Sequence, residues 1–289
     1  GSMSRYDPQL IAGIEAMMNA LPESGWRLAM LSNDPSTAST EAQFPLVPGD
    51  DVEDALDMYA LMGRGHREEG FDDHIEHSIR GYSHLLEDVV NLSRYFVEDG
   101  TNVVDIGCST GKLTNLIMDT NTHAPNANYV GVEIATGFTK DLEKREKDIK
   151  SKYPDCSLEF KKEYDIRDYE FENCSLITSL FTLQFMPLRD RRRLLQDISM
   201  GMCSGGALLL SEKTISDTSR IQDMMTFNYY DYKQKHFSTD DILEKEKTLR
   251  SMMKPNTWKE LFNLVETAGG FNHIQPFWQN HMFVGILAI

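Results

Sequence analysis

The sequence predicts an α/β fold, a mostly parallel sheet covered by helices on both faces, with an antiparallel C-terminal edge strand. Three observations carry that expectation. After Gly100, short apolar runs alternate with segments of helical period, the pattern of strands joined by helical crossovers. The first run, Val103-Val-Asp-Ile-Gly-Cys-Ser-Thr-Gly111, ends in a glycine-bearing turn that opens the next helix. The second, Tyr129-Val-Gly-Val-Glu133, ends in a carboxylate. A buried strand, a tight turn, a helix and an acid-tipped strand form the geometry that holds a nucleoside by its ribose hydroxyls.

Taken in order, residues 7–20 predict a helix with Ile11, Ile14, Met17 and Met18 on one face. Residues 33–50, rich in Ser, Thr, Pro, Asp and Gly, read as a loop or linker. Residues 51–62 read as a short acidic helix and 63–70 as a connector, so that 1–70 make an N-terminal extension to a domain over 71–289. Residues 71–97 predict two helices about Gly81-Tyr82-Ser83, with Leu85, Leu86, Val89, Val90 and Leu92 as an apolar stripe. Strands are expected at 102–106, 128–133, 157–160, 175–180, 206–211, 273–277 and 282–288, with helices at 111–119, 136–151 and 189–201. The last two strands follow each other closely enough for a hairpin. Arg191, Arg192 and Arg193 read as a solvated helix face. Residues 216–267 read as a helical insertion, in which Ser238 caps a helix through 253 with Asp240 and Asp241 in its first turn.

A chain of 289 residues, 40% hydrophobic, can bury one sizeable core with an appendage. Gly1-Ser2 ahead of Met3 reads as an expression scar, and no basic-apolar leader follows it. No apolar run approaches the ~18 residues of a membrane span. The four cysteines form no Cys-x-x-Cys pair and have no His cluster, so no metal site is expected and a reducing cytoplasm fits best. The formal charge of −16 is uneven: residues 1–111 hold 20 acids against six Arg and no Lys. Such a surface repels nucleic acid and anionic lipid, leaving direct nucleic-acid binding an open question and no membrane partner expected.

The loop narrows the ligand. Gly107 and Gly111 let backbone approach closely, and Ser109 stands where the commoner pattern has a central Gly. Glu133, 28 residues after Asp105, is placed to accept both ribose hydroxyls. The Gly-x-Gly-x-x-Gly fingerprint of dinucleotide sites is absent. Loop, acid type and spacing favour S-adenosylmethionine (SAM) and a Rossmann-like class I methyltransferase fold. Asp165, after the third strand, is placed for the adenine amino group, with Ile134 or Ile166 against the ring. Cys108 reads as a small residue fitted to a turn rather than as a nucleophile.

From Phe71 onward the sequence resembles the carboxy-S-adenosylmethionine synthases of tRNA wobble-uridine modification. The stretches that carry this are Gly81-Tyr-Ser83, Asp105-Ile-Gly-Cys-Ser109, Asp165-Ile-Arg-Asp168, Phe181-Thr-Leu-Gln-Phe185 and Gly205-Gly-Ala-Leu-Leu-Leu-Ser-Glu-Lys213. A weaker match runs from Phe237-Ser238 to Met253 and through Phe277-Trp278-Gln279. The resemblance implies a homodimer that makes carboxy-SAM from SAM and prephenate. It also implies that Tyr82, Gly107, Cys108, Ser109, Glu133, Ile134, Asp165 and Ile166 hold the cofactor, and Asp105 and Leu180 are counted with them as candidate cofactor positions. Two positions depart from the family. Leu180 stands where the family has Asn, and gapless alignment from Phe237-Ser238 puts Glu246 where the family has the Arg that pairs with the new carboxylate. Carboxylate facing carboxylate costs about 1–4 kcal/mol at ~4 Å. Glu246 suits the cationic sulfonium of ordinary SAM; Lys247 or Arg250 are the alternative partners for a carboxylate, and Arg250 lies one helical turn from Glu246.

Three functions follow as expectations. The first is methyl transfer from SAM to a small-molecule or partner-presented acceptor, with Tyr82, Tyr229 and His236 as catalytic candidates, Glu246 and Arg250 on the substrate side, and proximity supplying much of the acceleration. The second is the parent carboxy-SAM synthesis. The third is a non-catalytic SAM-binding regulatory subunit with the acidic extension as its arm.

Overall fold

The computed structural model describes residues 70–289. The expected acidic extension, with its helices at 7–20 and 51–62, lies outside the described residues. Within them the chain runs α1 (Gly70–Ser78), α2 (Tyr82–Ser93), β1 (Asn102–Ile106), α3 (Lys112–Thr120), β2 (Asn128–Glu133), α4 (Thr139–Lys152), β3 (Ser157–Lys162), β4 (Cys174–Leu180), α5 (Leu188–Gly201), β5 (Met202–Lys213), α6 (Ser219–Lys233), α7 (Thr239–Met252), α8 (Trp258–Gly269), β6 (Ile274–Asn280) and β7 (Phe283–Ala288). The strands form one sheet in the order β3-β2-β1-β4-β5-β7-β6. β1 to β5 pair in parallel, and the C-terminal hairpin closes that edge, with β7 antiparallel to both β5 and β6.

Alternation along each strand divides the core into two layers. Val103, Leu176 and Leu209 face α2, α3 and α4 through Leu85, Ile117 and Leu142. Val104, Ile177, Leu208 and Leu210 face α5 and α8 through Leu195, Ile198, Leu261 and Val265. Burial of strand residues on both sides is why the runs read as continuous apolar stretches.

Most boundaries follow the sequence expectation within a few residues. β5 is longer than 206–211 because Met202 pairs with Cys174 ahead of a bulge at Cys174/Leu176. A turn of 3-10 helix over Thr136–Phe138 precedes α4. The 216–267 insertion resolves into α6, α7 and α8. Ser238 caps α7, its hydroxyl accepting from the Asp241 N–H, with Asp240 and Asp241 in the first turn. Thr257 and Glu260 cap α8 reciprocally.

Arg191 is a correction. It is not on a solvated face but 1% exposed. Its guanidinium donates to the carbonyls of Met186, Gln184 and Lys254 and to Oδ1 of Asn256 at 2.6–3.1 Å. A guanidinium offers five N–H donors, so four aligned oxygens can hold it buried where a lone charge could not stay. Only Arg192 and Arg193 of that run are exposed.

Candidate active site

The strand order reverses between β1 and β4, and the C-terminal ends of those strands open a crevice, where open α/β sheets bind ligands. The cavity there encloses about 1020 Å³ including its mouth. Its walls bring together Tyr82, Asp105, Gly107, Cys108, Ser109, Glu133, Ile134, Asp165, Ile166 and Leu180, all ten positions that sequence reasoning assigned to the cofactor.

The loop is built for close approach. Gly107 has φ +68, and a Cβ there would stand 2.1 Å from Oγ1 of Thr182. Ser109 takes a left-handed conformation at φ +51, which strains a non-glycine residue. Its N–H donates to Oε2 of Glu133 at 2.8 Å while the Ala135 N–H donates to Oε1 at 2.9 Å. The carboxylate is thereby fixed with lone pairs to spare. Burial raises its pKa to about 7, against these N–H bonds, and the Asp105 charge adds to the rise.

Asp105 lines the crevice and is held from within the protein. Its oxygens accept from the hydroxyls of Thr114 and Thr178 at 2.9 and 2.8 Å, tying the loop to α3 and β4. Burial lifts its pKa to about 6 despite these bonds. Cys108 is buried, and burial with the nearby Asp105 and Glu133 charges pushes its thiol well up, the opposite of an activated nucleophile. Burial works to raise Asp165, but Arg167 outweighs it and holds the carboxyl below its ordinary range. Arg167 also pairs with Asp190 at 3.0 Å.

Helix α1 supplies a wall that motif reading missed. Asp72 accepts from the Thr110 hydroxyl at 2.9 Å and lies 3.6 Å from Arg145, and Lys112 reaches Glu76 at 3.2 Å. The available signal was that the family resemblance begins at Phe71.

The catalytic candidates separate. Tyr82 lines the crevice, its ring 6.3 Å from that of Phe181. Tyr229 lines a second cavity, but its hydroxyl donates to the Ser78 carbonyl at 2.6 Å. His236 is exposed, with its ring 4.5 Å from that of His77, and lines neither cavity.

Glu246 and Arg250 line the second cavity with Lys213. Glu246 is 6% exposed. Its Oε1 lies 3.5 Å from Nζ of Lys233, and its Oε2 lies 4.0 Å from Nζ of Lys213. Burial lowers the pKa of both lysines, with Glu246 opposing. Among the described residues, no group of His, Cys, Asp and Glu has the arrangement of a metal site, and no helix is long and apolar enough to cross a membrane.

Comparison with known proteins agrees with this geometry. Residues 103–206 match the methyltransferase domain family. A carboxy-S-adenosyl-L-methionine synthase of Staphylococcus epidermidis is 31% identical over 220 residues, 76% of this chain and 92% of that protein. The protein of the same name from Colwellia psychrerythraea is 30% identical over 222 residues, 76% and 88% of the two chains. Among solved structures, the complex of the Haloferax volcanii Trm112 methyltransferase activator with a methyltransferase gives a TM-score of 0.50 at 15% identity, covering 83% of this chain and 97% of that one. That likeness shows the fold alone. With a crevice at the strand-order reversal, a fixed carboxylate at the tip of β2 and this identity over three quarters of its length, the chain belongs to the carboxy-S-adenosyl-L-methionine synthase family, as a divergent member with the class I methyltransferase fold.

Proposed function

We propose that this SAM-dependent transferase moves the methyl group of SAM to an acceptor, and does not carboxylate that methyl. In this reading Glu133 holds the ribose, Asp165 and Ile166 the adenine, and the loop from Gly107 to Ser109 the amino-acid end. Leu180 and Tyr82 then flank the sulfonium. The acceptor's lone pair forms the bond to the methyl carbon, and the carbon–sulfur pair returns to sulfur as S-adenosylhomocysteine. The acceptor's proton passes to water.

The observation that carries the choice is the burial of Glu246 between Lys213 and Lys233. Where the family resemblance implies an arginine for the carboxylate, this chain supplies a carboxylate of its own. It neutralises lysines that a carboxylated ligand would otherwise meet. Leu180, in the crevice itself, puts an apolar side chain where the family resemblance implies a polar one. The names of the relatives favour carboxy-SAM synthesis instead, with Arg250 as the cation.

Titration of the purified chain with SAM and with its carboxylated analogue separates the two. Methyl transfer predicts tighter binding of SAM and no carboxylated nucleoside released on denaturation. Preferential binding of the carboxylated form would overturn the proposal.

A further inference from the structure

The ladder between β4 and β5 ends where Leu180 stands opposite Ser211. Beyond that point the chain leaves the sheet, yet β5 keeps hold of it. The Phe181 N–H donates to the Ser211 carbonyl at 2.7 Å. The Leu183 N–H donates to Oε1 of Glu212 at 3.0 Å. The Lys213 N–H donates to Oε1 of Gln184 at 2.7 Å. Ser211, Glu212 and Lys213, consecutive in β5, thus grip the segment from 181 to 184, and side chains carry the ladder on where backbone pairing stops.

The segment needs that grip. Phe181 holds φ +58, an uncommon conformation for a bulky residue. Strain of this kind persists where the surroundings over-determine it, and it clusters at functional sites. Leu183–Phe185 is a turn of 3-10 helix, and its N-cap Thr182 gives it no side-chain cap. The first N–H groups of a helical turn have no partner within it, and one buried without an acceptor is costly. Glu212, 3% exposed, supplies the acceptor from another strand. Burial raises its pKa to about 8, against the Arg191 charge and the N–H groups of Gln184 and Leu183. Near neutral pH, what this side chain offers the turn is therefore an acceptor oxygen at a fixed reach more than a full charge.

The held segment is a wall of the crevice, which Leu180, Phe181, Thr182 and Phe185 all line. The Thr182 hydroxyl donates to the Ile106 carbonyl at 3.1 Å and closes over Gly107. Leu183 follows Thr182 directly, so the bond at its N–H helps set where that hydroxyl lies. Arg191 holds the other end of the turn, by the carbonyls of Gln184 and Met186. We infer that Glu212 is a positioning residue of the crevice: by capping Leu183 from β5 it fixes Phe181 and Thr182 against the Gly107 loop, through the reach of its side chain rather than its charge. The inference rests on the crevice as the SAM site and names what sets one of its walls.

A pair of variants separates reach from charge. Glu212→Asp keeps the acid and shortens the side chain; Glu212→Gln keeps the length and removes the acid. The full chain is titrated calorimetrically with S-adenosylhomocysteine, hydrogen exchange is followed over residues 181–186, and circular dichroism checks that each variant is folded. Glu212→Asp is expected to bind about tenfold more weakly, the scale of one lost hydrogen bond, and to exchange faster at Leu183. Glu212→Gln is expected to recover most of the affinity and the protection, which a role resting on charge would not allow. A loss of about tenfold in Glu212→Gln, or undiminished affinity in Glu212→Asp, would overturn the inference. Failure of the parent chain to bind S-adenosylhomocysteine, with exchange still in the expected order, would strike the SAM reading and leave the clamp on Leu183 standing.

Discussion

The Lys233 ammonium and the Glu246 carboxylate lie 3.5 Å apart, with side chains only 3% and 8% exposed. Buried pairs like this contribute little against an apolar alternative, but removing one member leaves the other charge stranded. Glu246→Gln strands two lysines, because Lys213 shares the same carboxylate. The variant is expected to lose about 3–5 kcal/mol of stability. Urea denaturation followed by circular dichroism measures it, and a loss under about 1 kcal/mol would show that water reaches the cluster.

Glu133 gives the chain a pH dependence with a definite sign. Its folded pKa is raised to about 7. The stability it contributes is therefore complete below its unfolded pKa, near 4.5, and is lost as pH rises through 7. Ligand binding runs the other way, since only the ionised group can accept from both ribose hydroxyls. Affinity for S-adenosylhomocysteine is expected to rise about tenfold from pH 6 to pH 8, the ratio of ionised fractions for a group near 7. Glu133→Gln should bind weakly and flatten the profile. An unchanged profile would move the ribose contact elsewhere.

Gly107→Ala tests the loop. The new Cβ would stand 2.1 Å from Oγ1 of Thr182, whose hydroxyl donates to the Ile106 carbonyl at 3.1 Å. Positive φ and overpacking act together, costing about 2–4 kcal/mol. S-adenosylhomocysteine binding is expected to fall below detection in calorimetry. Thr182→Ala in the same chain should recover part of the stability, because it removes the atom in the way.

The parts legible in the sequence were those with a local signature. Strand and helix periods gave all seven strands of the described sheet, and the run from Asp105 to Gly111 with Glu133 gave the crevice. Ser238 announced its own cap. Contacts made across long loops were not legible. Nothing near Thr182 in sequence says that it closes over Gly107. Nothing in Arg191-Arg-Arg193 distinguishes the buried guanidinium from its exposed neighbours, because its partners lie at 184–186 and 254–256. Glu246 was found only because a related family has another residue there; helix periodicity could not have named the lysines that surround it.

Arg191 joins the loop after β4 to the linker between α7 and α8, so its loss should be felt at the second cavity more than at the first. Its four acceptors include the Gln184 carbonyl, and the Gln184 side chain in turn accepts from the Lys213 N–H at 2.7 Å. The Lys254 N–H returns to the same Gln184 carbonyl at 2.8 Å. Burial lowers the guanidinium pKa, with Glu212 opposing, and burial raises Glu212 to about 8, with Arg191 opposing. Arg191→Lys keeps a charge but cannot reach four oxygens from one nitrogen with three donors. It is expected to cost about 2–4 kcal/mol, the sum of orphaned acceptors less what water restores. Glu133, Ser109 and the β2 tip are built from other contacts. S-adenosylhomocysteine should therefore bind Arg191→Lys within about threefold of the parent, while amide hydrogen exchange at Lys213 and along α7 speeds up, because the segment after α7 loses its anchor at Lys254. Equal loss at both cavities would show that the two sites unfold as one unit.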